Sequence, residues 1–238
     1  MKTPKRFYRT VSTKESRGGF AVMLDGRPLR TPVKAPLEVP ARPLADAIAA
    51  EWDAQGERIN PLAMILTKLA NTAIDRVAPQ SERVRAEIVG YAASDLVCYR
   101  AAEPERLAGR QAAAWDPVLS WAKMTLDADF AVTTGIVHRL QPSAALQAVD
   151  LHLRDKSPWD LAANFTITAM LGSALLTARL LAGAAPEDET WSAAHIDEDW
   201  QIEHWGEDEE AAARRAARRI EFDAACRFAA LSREGAAR

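Results

Sequence analysis

The chain has 238 residues, enough for one large domain or two small ones with a real buried core. Hydrophobic residues make up 48% and charged residues 26%, a balance that excludes an intrinsically disordered chain. The formal net charge is -3 and the cations are spread out or paired with acids, which argues against a nucleic-acid binder.

The first forty residues read as strands. Residues 7–13 alternate and carry aromatic and β-branched side chains, Gly18-Gly19 is a turn, and residues 20–24 form a second strand. Asp25-Gly26 is a hairpin signal, because a tight turn needs the positive φ that glycine accepts. Residues 27–32 and 35–40 read as short strands, and their prolines suit sheet edges. After Pro40 the apolar period lengthens from two to nearly four. Leu44, Ala47, Ile48, Glu51 and Trp52 share one helical stripe. A second helix is expected from Pro61, with Met64, Leu66, Leu69, Ala73, Ile74 and Val77 turned inward. Pro79 then interrupts the pattern.

Beyond that break almost everything reads as helix: 80–94, 105–126 with a kink or join at Pro117, 143–154 with Ser143 as N-cap, 161–181 capped near Ser157 or Asp160, and a last stretch over 187–231. The fold class is therefore α+β, a small N-terminal antiparallel sheet with helices (1–80) followed by a mainly helical domain (81–238). The apolar run 161–185 is long enough to span a bilayer. Arg179 inside it would cost about 2.5 kcal/mol or more there, so a central buried helix is the expectation. Nothing apolar follows the basic residues of MKTPKRFYRTVS, so neither a secretory signal nor an organellar presequence is expected.

Chemical signatures are sparse. The two cysteines, Cys98 and Cys226, lie far apart and read as buried thiols in a reducing compartment. No nucleophile elbow, P-loop or dinucleotide fingerprint occurs. His195, Asp199 and Glu203 are four apart and would share a helix face. They carry the alternative reading, a metal-dependent enzyme, although no Glu-x-x-His pair supports them. A third reading is a membrane-associated factor using the 161–181 helix. Around the triad, residues 195–210 are rich in acids and carry Trp200 and Trp205, with arginines following at 214, 215, 218 and 219. From Glu207 onward that order suits a solvated helix, acids at its N-terminus and Glu210–Arg214 at i,i+4. The tryptophans suit an interface or the edge of a core. The hairpin arginines, Arg27 and Arg30, suit a contact loop or plain turn chemistry. Thr67, Asn71, Thr72 and Asp75 are expected to tie the two domains together by hydrogen bonds.

Four segments, LDGRPLRTP (24–32), AIAAEWDAQ (47–55), LTKLANTAID (66–75) and DEDWQIEHWGEDEE (197–210), in that order and spacing, resemble the family of F1-ATPase assembly chaperones that bind the α subunit. The resemblance covers nearly the whole chain. It implies the α+β fold read above, no catalysis and no cofactor. It also implies one partner, the newly made F1 α subunit, held against aggregation until it pairs with β. Carried over as motif matches are Gly26, Glu51, Trp52, Asn71, Asp75, Asp199, Trp200, Gln201, Trp205, Gly206 and Glu209. The expected partner-binding set is Gly26, Arg27, Trp52, Asp199, Trp200, Trp205, Glu207 and Glu209. A bacterial, cytoplasmic member is expected, monomeric and without stable membrane insertion.

Overall fold

The computed structural model describes residues 4–234. Its strands are β1 (Val11–Ser16), β2 (Gly19–Leu24), β3 (Arg27–Pro28), β4 (Glu38–Val39), β5 (Tyr99–Arg100) and β6 (Thr133–Thr134). Its α-helices are α1 (Arg42–Asp53), α2 (Ile65–Thr72), α3 (Ser81–Ala93), α4 (Glu105–Leu126), α5 (Ser143–Arg154), α6 (Pro158–Leu171), α7 (Ala174–Leu181), α8 (Glu187–Ala194), α9 (Ile196–Trp205) and α10 (Glu209–Arg233). The fold is α+β as the residue pattern predicts. Two compact units form. One holds the described residues up to Ser81, Ser157–Ala163 and the stretch from Ala224. The other holds Glu82–Lys156 and Asn164–Asp223.

In the first unit, β1 and β2 pair antiparallel from Val11↔Leu24 to Ser16↔Gly19. Strand β2 also pairs β3 and β4. The strand expected at 7–13 begins only at Val11, and the proline-rich stretches keep two residues of ladder each plus an Arg30↔Pro36 bridge, because proline has no N–H to give. Asp25 and Gly26 both take positive φ, as a two-residue hairpin turn requires. The Asp25 carboxylate accepts from Thr10 N at 2.8 Å, Arg9 N at 3.0 Å and the Thr10 hydroxyl at 3.0 Å. Those bonds, Thr10's first, hold its pKa below the usual value. Helix α1 lies on β1 and β2 and buries Leu44, Ala45, Ala47 and Ile48. Before α2, Pro61–Ala63 make a 3-10 turn and Met64 breaks the helix expected to run from Pro61. After α2 the chain widens into a π turn over Ala73–Val77.

In the second unit α4 is central and packs on α5, α7, α8 and α9. Pro117 sits inside α4 without ending it. The apolar run expected as one helix is two, α6 and α7. Gly172 at positive φ stops the first, and the buried Ser173 hydroxyl accepts from Leu176 N at 3.0 Å to start the second. Among the described residues no helix is long and apolar enough to cross a membrane. Buried Asp95 also serves α7, accepting from Leu175 N at 3.1 Å and Val97 N at 3.3 Å. Burial pushes its pKa up to about 6. Burial likewise pushes the Cys98 thiol up to about 12, so it is inert as a nucleophile.

Candidate functional site

The expected single stretch over 187–231 is three helices, and the middle one is the tryptophan-bearing motif. Asp197, Glu198 and Asp199 occupy the first turn of α9, where carboxylates suit the positive end of a helix. Gly206, at φ 86, ends it, and Gly206 N closes on Ile202 O at 2.9 Å. Asp208 then caps α10 by accepting from Ala211 N at 2.8 Å. Residues 206–208 are thus an elbow between two helices.

Helical phase gives the two motif tryptophans different roles. Five positions turn about 140° around a helix, so one face of α9 cannot carry both. Trp200 is buried, 7% exposed, while Trp205 is 74% exposed. The Trp200 ring stacks on His204 at 4.1 Å and lies under the Arg110 guanidinium at 5.0 Å. His204 Nδ1 meets Trp200 O at 2.8 Å. A carbonyl can only accept, so Nδ1 carries the proton. The same device appears one helix earlier, where His195 stacks on Trp191 at 3.9 Å and its Nδ1 meets Trp191 O at 2.7 Å. This repeated Trp-x-x-x-His spacing, at 191–195 and 200–204, is a signal visible in the sequence.

The acids of α9 are largely engaged. Asp197 accepts from Gln111 at 2.7 Å, Glu198 pairs Arg218 at 3.0 Å, Asp199 pairs Arg215 at 2.5 Å and Glu203 pairs Arg110 at 2.8 Å. Arg110 pulls the Glu203 pKa down, and burial lowers that of His195. Arg219 pairs Asp188 of α8. The arginine run of α10 therefore ties it to α8 and α9 as well as forming the expected Glu210–Arg214 pair. His195, Asp199 and Glu203 each have another partner, through His195 Nδ1, Asp199 Oδ1 and the Glu203 carboxylate. No group of three or more His, Cys, Asp or Glu able to hold a metal occurs among the described residues.

Two grooves flank α9. One, of about 510 Å³, is lined by Asp197, Gln201, Ile202, Trp205, Glu207 and Arg215 among others. The other, of about 530 Å³, is lined by Ile196, Asp199 and Glu203 with Ala113, Ala114 and Pro117 of α4. Asp199, Trp205 and Glu207 thus lie along grooves, Glu209 is exposed at the start of α10, and Trp200 is buried in the interior.

The other candidates belong to the first unit. Gly26 and Arg27 sit at the exposed turn. Half-buried Trp52 packs edge-on against Tyr8 at 5.5 Å, and its carbonyl accepts from the Tyr8 hydroxyl at 2.6 Å. Glu51 caps α2, accepting from Leu66 N at 2.7 Å, Thr67 N at 2.8 Å and the Thr67 hydroxyl at 2.7 Å. Thr72 bonds Lys68 O, and Asp75 accepts from Val33 N at 3.4 Å. These bonds lie inside the first unit. The buried Trp52 Nε1, Asn71 Oδ1 and Asp75 Oδ1 find no hydrogen-bond partner among the described residues.

Residues 5–123 match the family model described as ATP12 chaperone protein. The chain belongs to the ATP12 chaperone family. It is similar to the crystal structure of Atp12 from Paracoccus denitrificans, with 40% identity, TM-score 0.91 and 96% of this chain and 98% of that one covered. It is also similar to a candidate chaperone from Agrobacterium tumefaciens, with 46% identity, TM-score 0.92 and 96% and 86% covered. Protein atp12, mitochondrial, of Schizosaccharomyces pombe is 24% identical over 221 residues, 87% of this chain and 75% of that protein. The family model ends within α4, before α9, whereas both structural matches extend over 96% of the chain.

Proposed function

We propose that this chain is an assembly chaperone for the F1 part of ATP synthase. It holds the free α subunit and prevents its aggregation until β replaces it. Membership in the ATP12 chaperone family supports this reading. The observation that carries it is the exposed Trp205 beside an acid-rimmed groove at the α9–α10 elbow. A free α subunit exposes a broad apolar surface that pairs with β in the finished head, and exposed surface of that kind aggregates. An indole with one polar donor suits such a surface, and tryptophan dominates interface hot spots.

Within the candidate set, Trp205, Asp199, Glu207, Glu209 and Arg27 act as contacts. Trp200, Trp52 and Gly26 act by holding the contact elements in place. The protein works as a monomer, catalyses no reaction and needs no cofactor. Higher identity to the two bacterial structures than to the mitochondrial protein supports a bacterial, cytoplasmic setting.

Affinity capture from cells making the F1 subunits should recover α in clear excess over β. An eluate without α, or with β in equal amount, would overturn the proposal.

A further inference from the structure

Three tryptophans of the second unit carry the same fitting. The Arg100 guanidinium lies 5.0 Å from the centre of the Trp115 ring, and its Nη2 donates to Asp116 at 2.9 Å. Arg110 lies 5.0 Å from the Trp200 ring and donates to Glu203 at 2.8 Å. Arg219 lies 5.6 Å from the Trp191 ring and pairs with Asp188. Each acid stands within three residues of the ring that its arginine covers. The physical reason is shared. A planar, weakly hydrated guanidinium can face an indole and donate to a carboxylate at its edge at the same time. These three rings are buried, at 1%, 7% and 6% exposed for Trp115, Trp200 and Trp191. Trp205, at 74% exposed, has half of the fitting. Glu207 follows it by two residues, Gly206 at φ 86 turns the chain between them, and both line the groove at the α9–α10 elbow. Among the described residues no guanidinium lies over Trp205, and Glu207 makes no ion pair. The arginines that follow are committed elsewhere, Arg214 to Glu210, Arg215 to Asp199 and Arg218 to Glu198.

We propose that Trp205 and Glu207 form an arginine receptor, and that an arginine side chain of the F1 α subunit fills it. This rests on the function proposed above and names the chemistry of its contact. The incoming guanidinium faces the indole of Trp205 and donates to the Glu207 carboxylate, completing the arrangement that the chain builds for itself at Trp115, Trp191 and Trp200. The charge of the groove suits that occupant. Asp197, Glu198, Glu207 and Asp208 line it against Arg215, whose charge is engaged by Asp199. An uncharged apolar side chain would cover the ring and leave Glu207 without a partner beside it. A lysine would bring the charge without the planar face and the forked donors.

The test uses the full chain and purified α subunit. Trp205→Leu keeps an apolar side chain and removes the π face, and Glu207→Gln keeps the shape and removes the charge. Each should capture α about fivefold more weakly or worse, with helical circular dichroism and melting temperature unchanged. The double variant should lose little more than the worse single one, because both groups hold one guanidinium. Normal capture by Trp205→Leu would make the contact merely apolar, and losses that multiply in the double variant would make it two separate contacts. Either result overturns the receptor and leaves the chaperone reading standing. A photo-crosslinking residue at Ala212, which lines the same groove, decides the matter if a variant does not fold. Its adduct should map to a segment of α that contains an arginine, and changing that arginine to lysine should weaken capture by the parent chain. An adduct segment without arginine, or a lysine variant of α captured normally, overturns the proposal. Self-association of the parent that is lost in Trp205→Leu while α is still captured would assign the receptor to a second copy of this chain and overturn it as well. A parent chain that captures no α overturns both readings.

Discussion

The family motifs of the first unit and those of the α9–α10 elbow look alike as strings of acids and tryptophans, yet they are put to different uses. In the first unit the chain spends the polar groups on itself. Asp25 ties the hairpin turn to Thr10, and Glu51 satisfies the first amides of α2. At the elbow, arginines hold the acids of α9 from the flanks, and Trp205 is left in water. A residue can therefore identify a family through the fold it builds or through the surface it offers. Its hydrogen-bond partners tell which.

The sharpest way to break this comparison lies within α9. Trp200→Ala removes a buried indole and should cost about 3–5 kcal/mol in urea unfolding. A loss below about 1 kcal/mol would mean Trp200 is not part of the packed interior. Asp95 tests the interior of the same unit. Its pKa is raised from 3.8 to about 6 in the folded chain, so its contribution to stability is full below pH 3.8 and fades as pH rises through 6. The shift corresponds to about 3 kcal/mol. The stability advantage of the parent over Asp95→Asn should shrink by about that amount between pH 4 and pH 7.5, and a constant gap would remove Asp95 as the source.

Glu51→Ala should cost about 2 kcal/mol through the uncapped α2. Capture of α, measured well below the melting temperature, should be unchanged, and weakened capture would place Glu51 at the client surface after all. The smallest effect on stability belongs to Trp205→Ala, within about 0.5 kcal/mol of the parent. Its signature is elsewhere, in roughly tenfold weaker capture of α. A variant that unfolds easily but binds normally would reverse the contrast between the two tryptophans.

Much of the fold is legible in the residue pattern because turns and caps are local. Asp25-Gly26 and Ser157 mark their boundaries through chemistry confined to a few residues. The break inside 161–181 is not legible in the residue pattern because both sides of Gly172-Ser173 are equally apolar, which drowns the cap signal of Ser173. The difference between Trp200 and Trp205 follows from helical phase, but only once α9 is known to end at Gly206. The pairs of Asp199 with Arg215 and Glu198 with Arg218 cross two helices, so no short-range spacing rule anticipates them. Glu210–Arg214, one turn apart, is readable in advance.

Helix α9 behaves as a partition with a different tenant on each side. Positions 197, 201 and 205 look into one groove, 196, 199 and 203 into the other, and 200 into the interior. Neighbours in the chain therefore answer to unrelated demands. A full substitution scan of this helix should yield interleaved profiles of tolerance, repeating with the helical turn instead of changing smoothly along the chain. A tolerant position would say little about the residue beside it and much about the one a turn away.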